Sequence, residues 1–526
     1  MPTLTIDGRR IDAAEGSTVI QAAEKVGTFI PRYCYHPGLS IAGNCRICLV
    51  EVEKNPKLQI ACNTPVTDGM VVHTKSGKAE DGRRAVLEFL LANHPLDCPV
   101  CDQSGECDLQ NFYMNFGLYD PRFREQKVKK KKAVPIGPHV MLDQERCILC
   151  SRCVRFTDEI SKTGEFGIFN RGDRAELSLY PGQRLDNPYS GNVIDICPVG
   201  ALTETDFRFK ARVWYLSSAS TVCNRCAQGC NMDMHFVLDR PHLNGGARVL
   251  RVKPRYNADV NQWWMCDEGR FGFHWMDENR LTRVRHHGLP ATWEEALEAI
   301  GASLADLRDT SGRPRIGVIA SPQLTTEELF LIREVFQRAV GARVAVAAPT
   351  PPGYSDDFLI KADKNPNTLG AVIVGLSGPH APDAASIIDD AVEGRLDGLW
   401  VFGHDFEPET LDELSRKLRL FVFSGPNEGQ SASRAHWVLP TAAYVEKDGT
   451  FVNCHGRVQR IGRAFPPLPD SREDWRLLLE IAGQLGHALN CRNPQEIFRE
   501  MSVVVEPFAG LSYDKIGLQG IQCSKT

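Results

Sequence analysis

The sequence predicts a multidomain protein of the α+β and α/β classes, with a cysteine-rich N-terminal half followed by a parallel α/β domain. The chain has 526 residues, too many for one ordinary hydrophobic core. Fifteen of the 18 cysteines lie between Cys34 and Cys266. After about residue 280, short apolar runs alternate with helical patterns, which is typical of a parallel sheet with crossover helices.

Composition and charge exclude several classes of protein. The chain is 42% hydrophobic and 24% charged, which is ordinary for a globular protein. A net charge of -5 gives no electrostatic case for nucleic acid as a partner. No apolar run approaches the roughly 20 residues that span a bilayer. Residues 1–7 show no secretory signal, so we expect clustered cysteines to bind metal rather than to form disulfides.

The N-terminal elements follow from local signals. Residues 4–6 are predicted as a strand, residues 7–8 as a turn, and Ser17 or Thr18 as the cap of a helix that runs to Val26. A further strand is expected at residues 49–52 and a helix at residues 81–93. The basic run at residues 127–132 predicts a solvated connector, with docking to an acidic partner as the alternative.

The C-terminal elements alternate between strands and helices. A strand is expected near residues 234–238, and Thr292 and Thr325 each open a helix through a capping box. The buried strands of the α/β sheet are predicted at residues 316–320, 344–346, 371–374 and 399–402. Neither a G-x-G-x-x-G fingerprint nor a P-loop occurs, so no nucleotide site is predicted.

Group 1 consists of Cys34, Cys45, Cys48 and Cys62, spaced C-x10-C-x2-C-x13-C. Four thiolates can hold a [2Fe–2S] cluster, two on each iron. Small residues such as Gly43 allow backbone amides to approach the sulfurs. A structural zinc site with four cysteine ligands is the alternative.

Group 2 consists of His94, Cys98, Cys101 and Cys107. Three cysteines cannot complete a four-iron cube. His94, four residues before Cys98, is the candidate for the fourth ligand of a [4Fe–4S] cluster. The alternative for a lone histidine is an ordinary surface or core residue.

Group 3 consists of Cys147, Cys150, Cys153 and the distant Cys197, which precedes Pro198. A C-x2-C-x2-C triplet closed by a remote Cys-Pro is typical of ferredoxin-type [4Fe–4S] sites.

Group 4 consists of Cys223, Cys226, Cys230 and Cys266. Its C-x2-C-x3-C-x35-C spacing also suits a [4Fe–4S] cube, with zinc as the alternative. The four groups account for fifteen cysteines and one histidine. Several clusters in one chain indicate transfer of single electrons through protein. Cys454, Cys491 and Cys523 are interpreted as ordinary core or surface thiols.

The order of the four groups resembles the large iron–sulfur subunit of bacterial respiratory complex I, the G-subunit family of NADH:quinone oxidoreductases. The resemblance covers roughly residues 1–280. It rests on the segments at residues 45–52, 94–102, 105–110, 146–156 and 195–202.

The resemblance implies a domain for each group. Cofactors would be one [2Fe–2S] cluster at group 1, three [4Fe–4S] clusters at groups 2 to 4, and no molybdenum; the fourth would lie off the main electron path. The implied domains are a β-grasp ferredoxin domain at 1–78, a [4Fe–4S] domain with one His and three Cys ligands at 79–118, a ferredoxin-like [4Fe–4S] domain at 119–215, a [4Fe–4S] domain of the Mo/W type at 216–275, and a truncated, Rossmann-like α/β domain of the molybdopterin oxidoreductase type at 276–526.

The tail resembles molybdopterin oxidoreductases more weakly, at residues 265–271 and 446–453. It is short for that family. No cysteine lies between Cys266 and Cys454, where an active member would place its metal-binding cysteine or selenocysteine.

The resemblance implies a subunit of an enzyme, with no catalytic residue and no substrate site of its own. Electrons would arrive from a flavin/NADH-binding subunit and leave through ferredoxin-like subunits of the peripheral arm toward quinone. The chain would lie on the cytoplasmic side of the bacterial inner membrane, attached only through the complex. A subunit of an NAD-linked formate dehydrogenase, a subunit of a hydrogenase and a structural zinc protein are the alternatives.

Overall fold

A computed structural model describes residues 1–118, 120, 122–379 and 381–524 of the chain. The chain divides into two compact units, Met1–Leu216 (unit 1) and Ser217–Thr526 (unit 2). None of the described helices is both long enough and apolar enough to cross a membrane.

Unit 1 begins with a five-stranded mixed sheet in the order β2-β1-β5-β3-β4. Asp7 and Gly8 both have positive φ, which suits the tight turn between β1 and β2. Helix α1 begins after Thr18, one of the two predicted cap residues, and the backbone amide of Thr18 donates to Gln21 Oε1 at 2.9 Å. The elements are β1 (Thr3–Ile6), β2 (Arg9–Asp12), α1 (Val19–Lys25), β3 (Leu49–Val52), β4 (Gln59–Ile60) and β5 (Val71–His73).

The rest of unit 1 consists of short helices, a three-stranded sheet in the order β10-β7-β6 and the β8-β9 hairpin. Helix α2 begins four residues earlier than predicted because the Ser76 hydroxyl accepts a hydrogen bond from the amide of Ala79. The elements are α2 (Gly77–Asn93), α3 (Asp108–Phe116), β6 (Val134–Pro135), β7 (Val140–Leu142), α4 (Arg152–Glu159), β8 (Phe166–Phe169), β9 (Glu176–Leu179), α5 (Asn192–Ile196) and β10 (Leu202–Glu204).

Unit 2 begins with an antiparallel sheet of three strands in chain order. The strand predicted near residues 234–238 begins at Asn231 and ends at Phe236, where the register shifts. The elements are β11 (Ser217–Val222), β12 (Asn231–Phe236), β13 (Val249–Pro254) and α6 (Asp267–Phe271).

A seven-stranded sheet in the order β15-β14-β20-β19-β18-β16-β17 forms the centre of unit 2. Neighbouring strands from β17 to β20 are parallel, which confirms the predicted α/β arrangement. The elements are β14 (Arg285–His286), β15 (Leu289–Pro290), α7 (Trp293–Asp306), β16 (Ile316–Ala320), α8 (Thr326–Ile332), β17 (Arg343–Val346), α9 (Thr368–Ile373), α10 (Ala384–Val392), β18 (Gly398–Phe402), α11 (Pro408–Lys417), β19 (Leu420–Gly425), α12 (Gln430–Arg434) and β20 (Trp437–Pro440).

Both predicted capping boxes are present. Thr292 pairs with Glu295 at the start of α7, and Thr325 pairs with Glu328 at the start of α8. Helix α8 continues as a π-helical segment over Arg333–Val340.

The strand predicted at residues 371–374 is wrong, because this segment forms helix α9 and its end. Ala371 and Val374 are buried, whereas Val372 is 42% exposed. Burial three residues apart is the helical period, and a four-residue apolar run cannot by itself separate a strand from a helix.

The chain ends in a small antiparallel sheet, β21-β22-β23, and three helices. The apolar core of unit 2 contains Leu477, Ile497 and Phe508 from this region together with β16 and β18 residues of the large sheet. The elements are β21 (Gly449–Val452), β22 (Arg457–Ile461), α13 (Asp474–Gln484), α14 (Pro494–Val504), α15 (Tyr513–Ile516) and β23 (Ile521–Gln522).

Candidate metal centres

The four thiols of group 1 lie together beneath the N-terminal sheet. Cys34 is within hydrogen-bonding distance of Cys45 and Cys62, and Cys48 of Cys62. Hydrogen bonds from the Cys45 and Cys62 thiols lower the pKa of Cys34, which favours the thiolate, the form that binds metal. The backbone amide of Cys34 also donates to Cys45 Sγ at 3.4 Å. The site therefore combines four soft donors with an amide directed at sulfur.

The loops of groups 1 and 3 turn through left-handed backbone at residues other than glycine. Arg46, between Cys45 and Cys48, has φ 63°, and Leu149 and Ser151 of group 3 have φ 53° and φ 60°. Such conformations are uncommon outside glycine and cluster at functional sites. They let a short loop bend its cysteines toward one point.

Group 2 lines one cavity. His94 follows the last residue of α2, and Cys107 precedes the first residue of α3, so two helix ends position these candidate ligands. His94 Nδ1 is buried without a hydrogen-bond partner. Burial lowers the pKa of His94 to about 4, so the imidazole is neutral at physiological pH and able to bind metal.

Gly200 leaves the space that group 2 needs. A Cβ at this position would lie 2.3 Å from Cys101 Sγ, which no side chain can accommodate without movement of the site. Its only signal in the sequence is its place three residues after Cys197, and Gly200 was therefore not among the predicted site residues.

An ion-pair network joins the loop of group 2 to that of group 3. Arg146, next to Cys147, donates to Asp97 through Nε at 3.1 Å and Nη2 at 2.7 Å. Lys132 also pairs with Asp97, at 3.1 Å. Burial opposes ionisation of Asp97, but the Arg146 and Lys132 bonds prevail and hold its pKa at about 2.

The basic run at residues 127–132, predicted as a solvated connector, is only partly solvated. Lys132 also pairs with Asp143 and Glu145, at 3.1 and 3.0 Å, and Lys127 donates to the carbonyl of Leu91. Lys129 remains 80% exposed. Through these contacts the basic run binds to α2 and to the loops that carry groups 2 and 3, so it is more than a linker between two parts of the chain.

All four cysteines of group 3 lie close to one another. Burial raises the pKa of Cys147 to about 12 and that of Cys150 to about 11. Buried thiols of this kind become thiolates when a bound metal replaces the proton. The amide of Leu149 donates to Cys147 Sγ at 3.4 Å, which repeats the amide–sulfur contact of group 1.

Cysteines of three groups belong to one apolar cluster of unit 1. Buried Cys34, Cys107 and Cys150, one from each of groups 1 to 3, pack with Tyr33 and Phe112. Their sites share a core, and the sequence pattern could not show this because the groups are far apart in the chain.

Group 4 lies in unit 2, and its four cysteines are between 5% and 7% exposed. The amide of Gly269 donates to Cys266 Sγ at 3.4 Å. A Cβ at Gly269 would approach Cys223 Sγ to 3.0 Å, so the small residue keeps the site open.

Of the three remaining cysteines, Cys454 is exposed, Cys491 is partly buried and Cys523 is buried. The amide of Cys454 donates to the carbonyl of Ala227 at 2.8 Å, beside Cys226. The sequence did not predict that Cys454 adjoins group 4.

A crevice lies at the carboxyl ends of the parallel strands of unit 2. Ser321, Gly403 and Ser424 line it where β16, β18 and β19 end. Such crevices are the usual ligand sites of open α/β sheets. Tyr444 Oη and Trp275 Nε1 are lining atoms that are buried and have no hydrogen-bond partner. None of the described lining residues is a cysteine.

Five family models match the chain, and together they define an iron–sulfur protein with a molybdopterin-oxidoreductase part. They are described as 2Fe-2S iron-sulfur cluster binding domain (residues 1–77), NADH-ubiquinone oxidoreductase-G iron-sulfur binding region (83–122), NADH-quinone oxidoreductase subunit 3, ferredoxin-like domain (137–203), Molybdopterin oxidoreductase Fe4S4 domain (216–278) and Molybdopterin oxidoreductase (367–484).

Relatives match over nearly the whole chain. The G subunit of the NADH-quinone oxidoreductase of Rickettsia felis is 31% identical over 98% of this chain and 92% of the relative. The mitochondrial NADH-ubiquinone oxidoreductase 78 kDa subunit of Candida albicans is 32% identical over 92% of this chain and 83% of the relative. The chain belongs to the G-subunit family of NADH-quinone oxidoreductases, as the resemblance implied.

One solved structure, an NAD+-reducing [NiFe]-hydrogenase in the H2-reduced state, shares 34% identity over 40% of this chain and 91% of the matched chain. Its TM-score is 0.37, too low to indicate a shared overall fold.

Proposed function

We propose that this chain is an electron-transfer subunit of NADH:quinone oxidoreductase, which passes single electrons from a flavin subunit through iron–sulfur clusters toward quinone. Its family membership supports this role over the formate dehydrogenase and hydrogenase alternatives. The observation that carries the proposal is that cysteines of groups 1, 2 and 3 share one core in unit 1. The chain needs no catalytic residue and no substrate site of its own.

We assign the clusters by donor set. Cys34, Cys45, Cys48 and Cys62 would hold one [2Fe–2S] cluster, and groups 2 to 4 one [4Fe–4S] cluster each. Bound clusters accept and release one electron at a time. The chain contributes amides directed at Cys45, Cys147 and Cys266 sulfurs, and hydrogen bonds to sulfur raise a cluster's reduction potential.

The matched family models favour clusters over zinc. The models over residues 1–77 and 216–278 are described as a 2Fe-2S iron-sulfur cluster binding domain and a Molybdopterin oxidoreductase Fe4S4 domain. A structural zinc site remains the alternative that iron analysis would exclude.

The finer fold and domain assignments fit the same picture. The mixed sheet of β1 to β5 with α1 supports a β-grasp domain at 1–78, and the parallel sheet supports a Rossmann-like domain within 276–526. We keep the boundaries 79–118, 119–215 and 216–275 for the [4Fe–4S] domains.

We propose that unit 2 holds no molybdenum. The crevice at the sheet edge has no cysteine among its described lining residues, and thiolate is the donor that an active family member would place there. Oxygen donors such as Ser321 and Asp405 do line the crevice and could take the place of a thiolate, so metal analysis is the deciding test.

Partners are proposed from the surface of unit 1. Phe89, Leu96 and Met114 are 82%, 81% and 65% exposed, and Leu96 and Met114 line the group 2 cavity. Contiguous exposed apolar patches mark protein–protein contacts, and Leu96 and Met114 share the lining of one cavity. We assign them to the flavin/NADH-binding subunit or ferredoxin-like subunits of the peripheral arm, on the cytoplasmic side of the bacterial inner membrane.

Two matched variants test this role. We expect Cys150→Ala to abolish nearly all NADH-to-quinone electron flow, because group 3 lies in the shared core. Cys226→Ala should retain most of it, because group 4 is expected off the path. The measurement is NADH:quinone activity of membranes that contain equal amounts of assembled complex. Equal losses in the two variants would contradict the proposal.

A further inference from the structure

The phenol of Tyr33 is buried without a partner. Tyr33 precedes Cys34 and is 0% exposed. Its Oη has no hydrogen-bond partner in the described part of the chain. A buried hydroxyl left unpaired costs free energy, so folded proteins normally satisfy such groups.

The surroundings of Tyr33 belong to two metal centres. Its phenol lies near Cys107 of group 2, Asp108, and Cys45 of group 1. The ring packs against Phe112, with 5.1 Å between ring centroids. The phenol therefore lies in the same buried cluster as Cys107, within the shared core.

Tyr35, two residues along, shows the ordinary arrangement. It is also buried, at 3% exposure, but its hydroxyl bonds to the side chain of Gln21. Asp108 lies near Tyr33, yet no hydrogen bond joins the two side chains. A phenol is protonated at neutral pH and can donate one hydrogen bond.

We propose that Tyr33 donates its phenolic O–H to a sulfur of the cluster held at group 2, on the Cys107 side, and raises that cluster's reduction potential. The inference rests on the proposed function, in which group 2 holds a cluster. The hydrogen bond stabilises the more negative, reduced state, because the donor lies next to sulfur that gains charge. The phenol keeps its proton in both redox states, so only one electron moves.

The test compares Tyr33→Phe with Tyr35→Phe in the intact complex. Redox titration followed by electron paramagnetic resonance gives the midpoint potential of each cluster, and the signal that changes in His94→Cys identifies the cluster at group 2. We expect Tyr33→Phe to lower the equilibrium constant for its reduction about tenfold, a shift of about 59 mV for one electron. Tyr35→Phe should leave it unchanged.

A second measurement needs no variant. In unaltered complex exchanged into deuterated water, we expect a hyperfine coupling from an exchangeable deuteron on the group 2 signal. Its absence would overturn the proposal even if Tyr33→Phe fails to assemble.

Two results of the titration would also overturn the proposal. One is a shift confined to the group 1 cluster, which would place the donor on Cys45. The other is an unchanged midpoint potential at full iron content, which would indicate that the Tyr33 hydroxyl donates to Asp108 and not to the cluster. Absence of iron from group 2 in the unaltered complex would instead overturn the proposed function itself.

Discussion

The two units of the chain differ in what forms their cores. In unit 2, Phe336 packs against Trp400 and Phe402 of the seven-stranded sheet. In unit 1, cysteines of groups 1 to 3 are themselves part of the buried clusters. We infer that the fold of unit 1 depends on its candidate ligands more than that of unit 2, where the buried cysteines of group 4 lie outside the core around the large sheet.

Removal of iron should have the largest effect on stability, and it should affect unit 1 much more than unit 2. Metal-binding free energy is folding free energy where the ligands form the core. After anaerobic removal of iron from the full chain, we expect protease to cleave Met1–Leu216 and to leave a protected fragment of unit 2. Mass spectrometry of the fragments gives the result.

The matched control is the iron-loaded chain, in which both units should resist cleavage. Protection of unit 1 from protease after complete loss of iron would contradict the claim that its fold depends on bound metal.

A cavity in unit 2 should have a smaller effect, confined to that unit. Phe336 is 0% exposed and contacts Trp400 and Phe402 edge-on. Phe336→Ala should lower the free energy of unfolding of unit 2 by about 3–5 kcal/mol. Tryptophan fluorescence during urea unfolding reports mainly on unit 2, because Trp214 is the one tryptophan of unit 1 among eight in the chain.

Val503→Ala, at a side chain that is 79% exposed, is the control and should cost less than about 0.5 kcal/mol. Simultaneous loss of the group 1 to 3 clusters in Phe336→Ala would show that the two units do not fold separately.

The smallest effect is expected from an exchange of ligand within unit 1. As the proposed fourth ligand of group 2, His94 would be neutral, whereas the thiolate of a cysteine in its place would carry a negative charge. His94→Cys should keep a cluster at group 2 but lower its midpoint potential, since the added negative charge disfavours reduction. A redox titration that finds the same midpoint would count against His94 as a ligand.

Much of this arrangement could be predicted from local sequence. Ligand spacing defined all four candidate groups, and the capping boxes at Thr292 and Thr325 mark helix starts that the structure confirms. These features depend on residues close together in the chain. The alternation of apolar strands with helices likewise predicted the parallel sheet.

Features that depend on contacts between distant segments could not be predicted. Tyr33 is an ordinary aromatic residue until the fold places it beside Cys107. Gly200 matters because Cys101 Sγ comes to lie where its Cβ would be. The helix at residues 368–373 was missed because its short apolar run carries no period of its own.

The most direct test is the metal content of this single polypeptide, isolated anaerobically from its native complex. One two-iron and three four-iron clusters predict about 14 iron atoms per chain, with neither molybdenum nor tungsten. That result would support an electron conduit whose C-terminal domain serves as a scaffold. Zinc in place of iron, or about one molybdenum or tungsten per chain, would contradict the account.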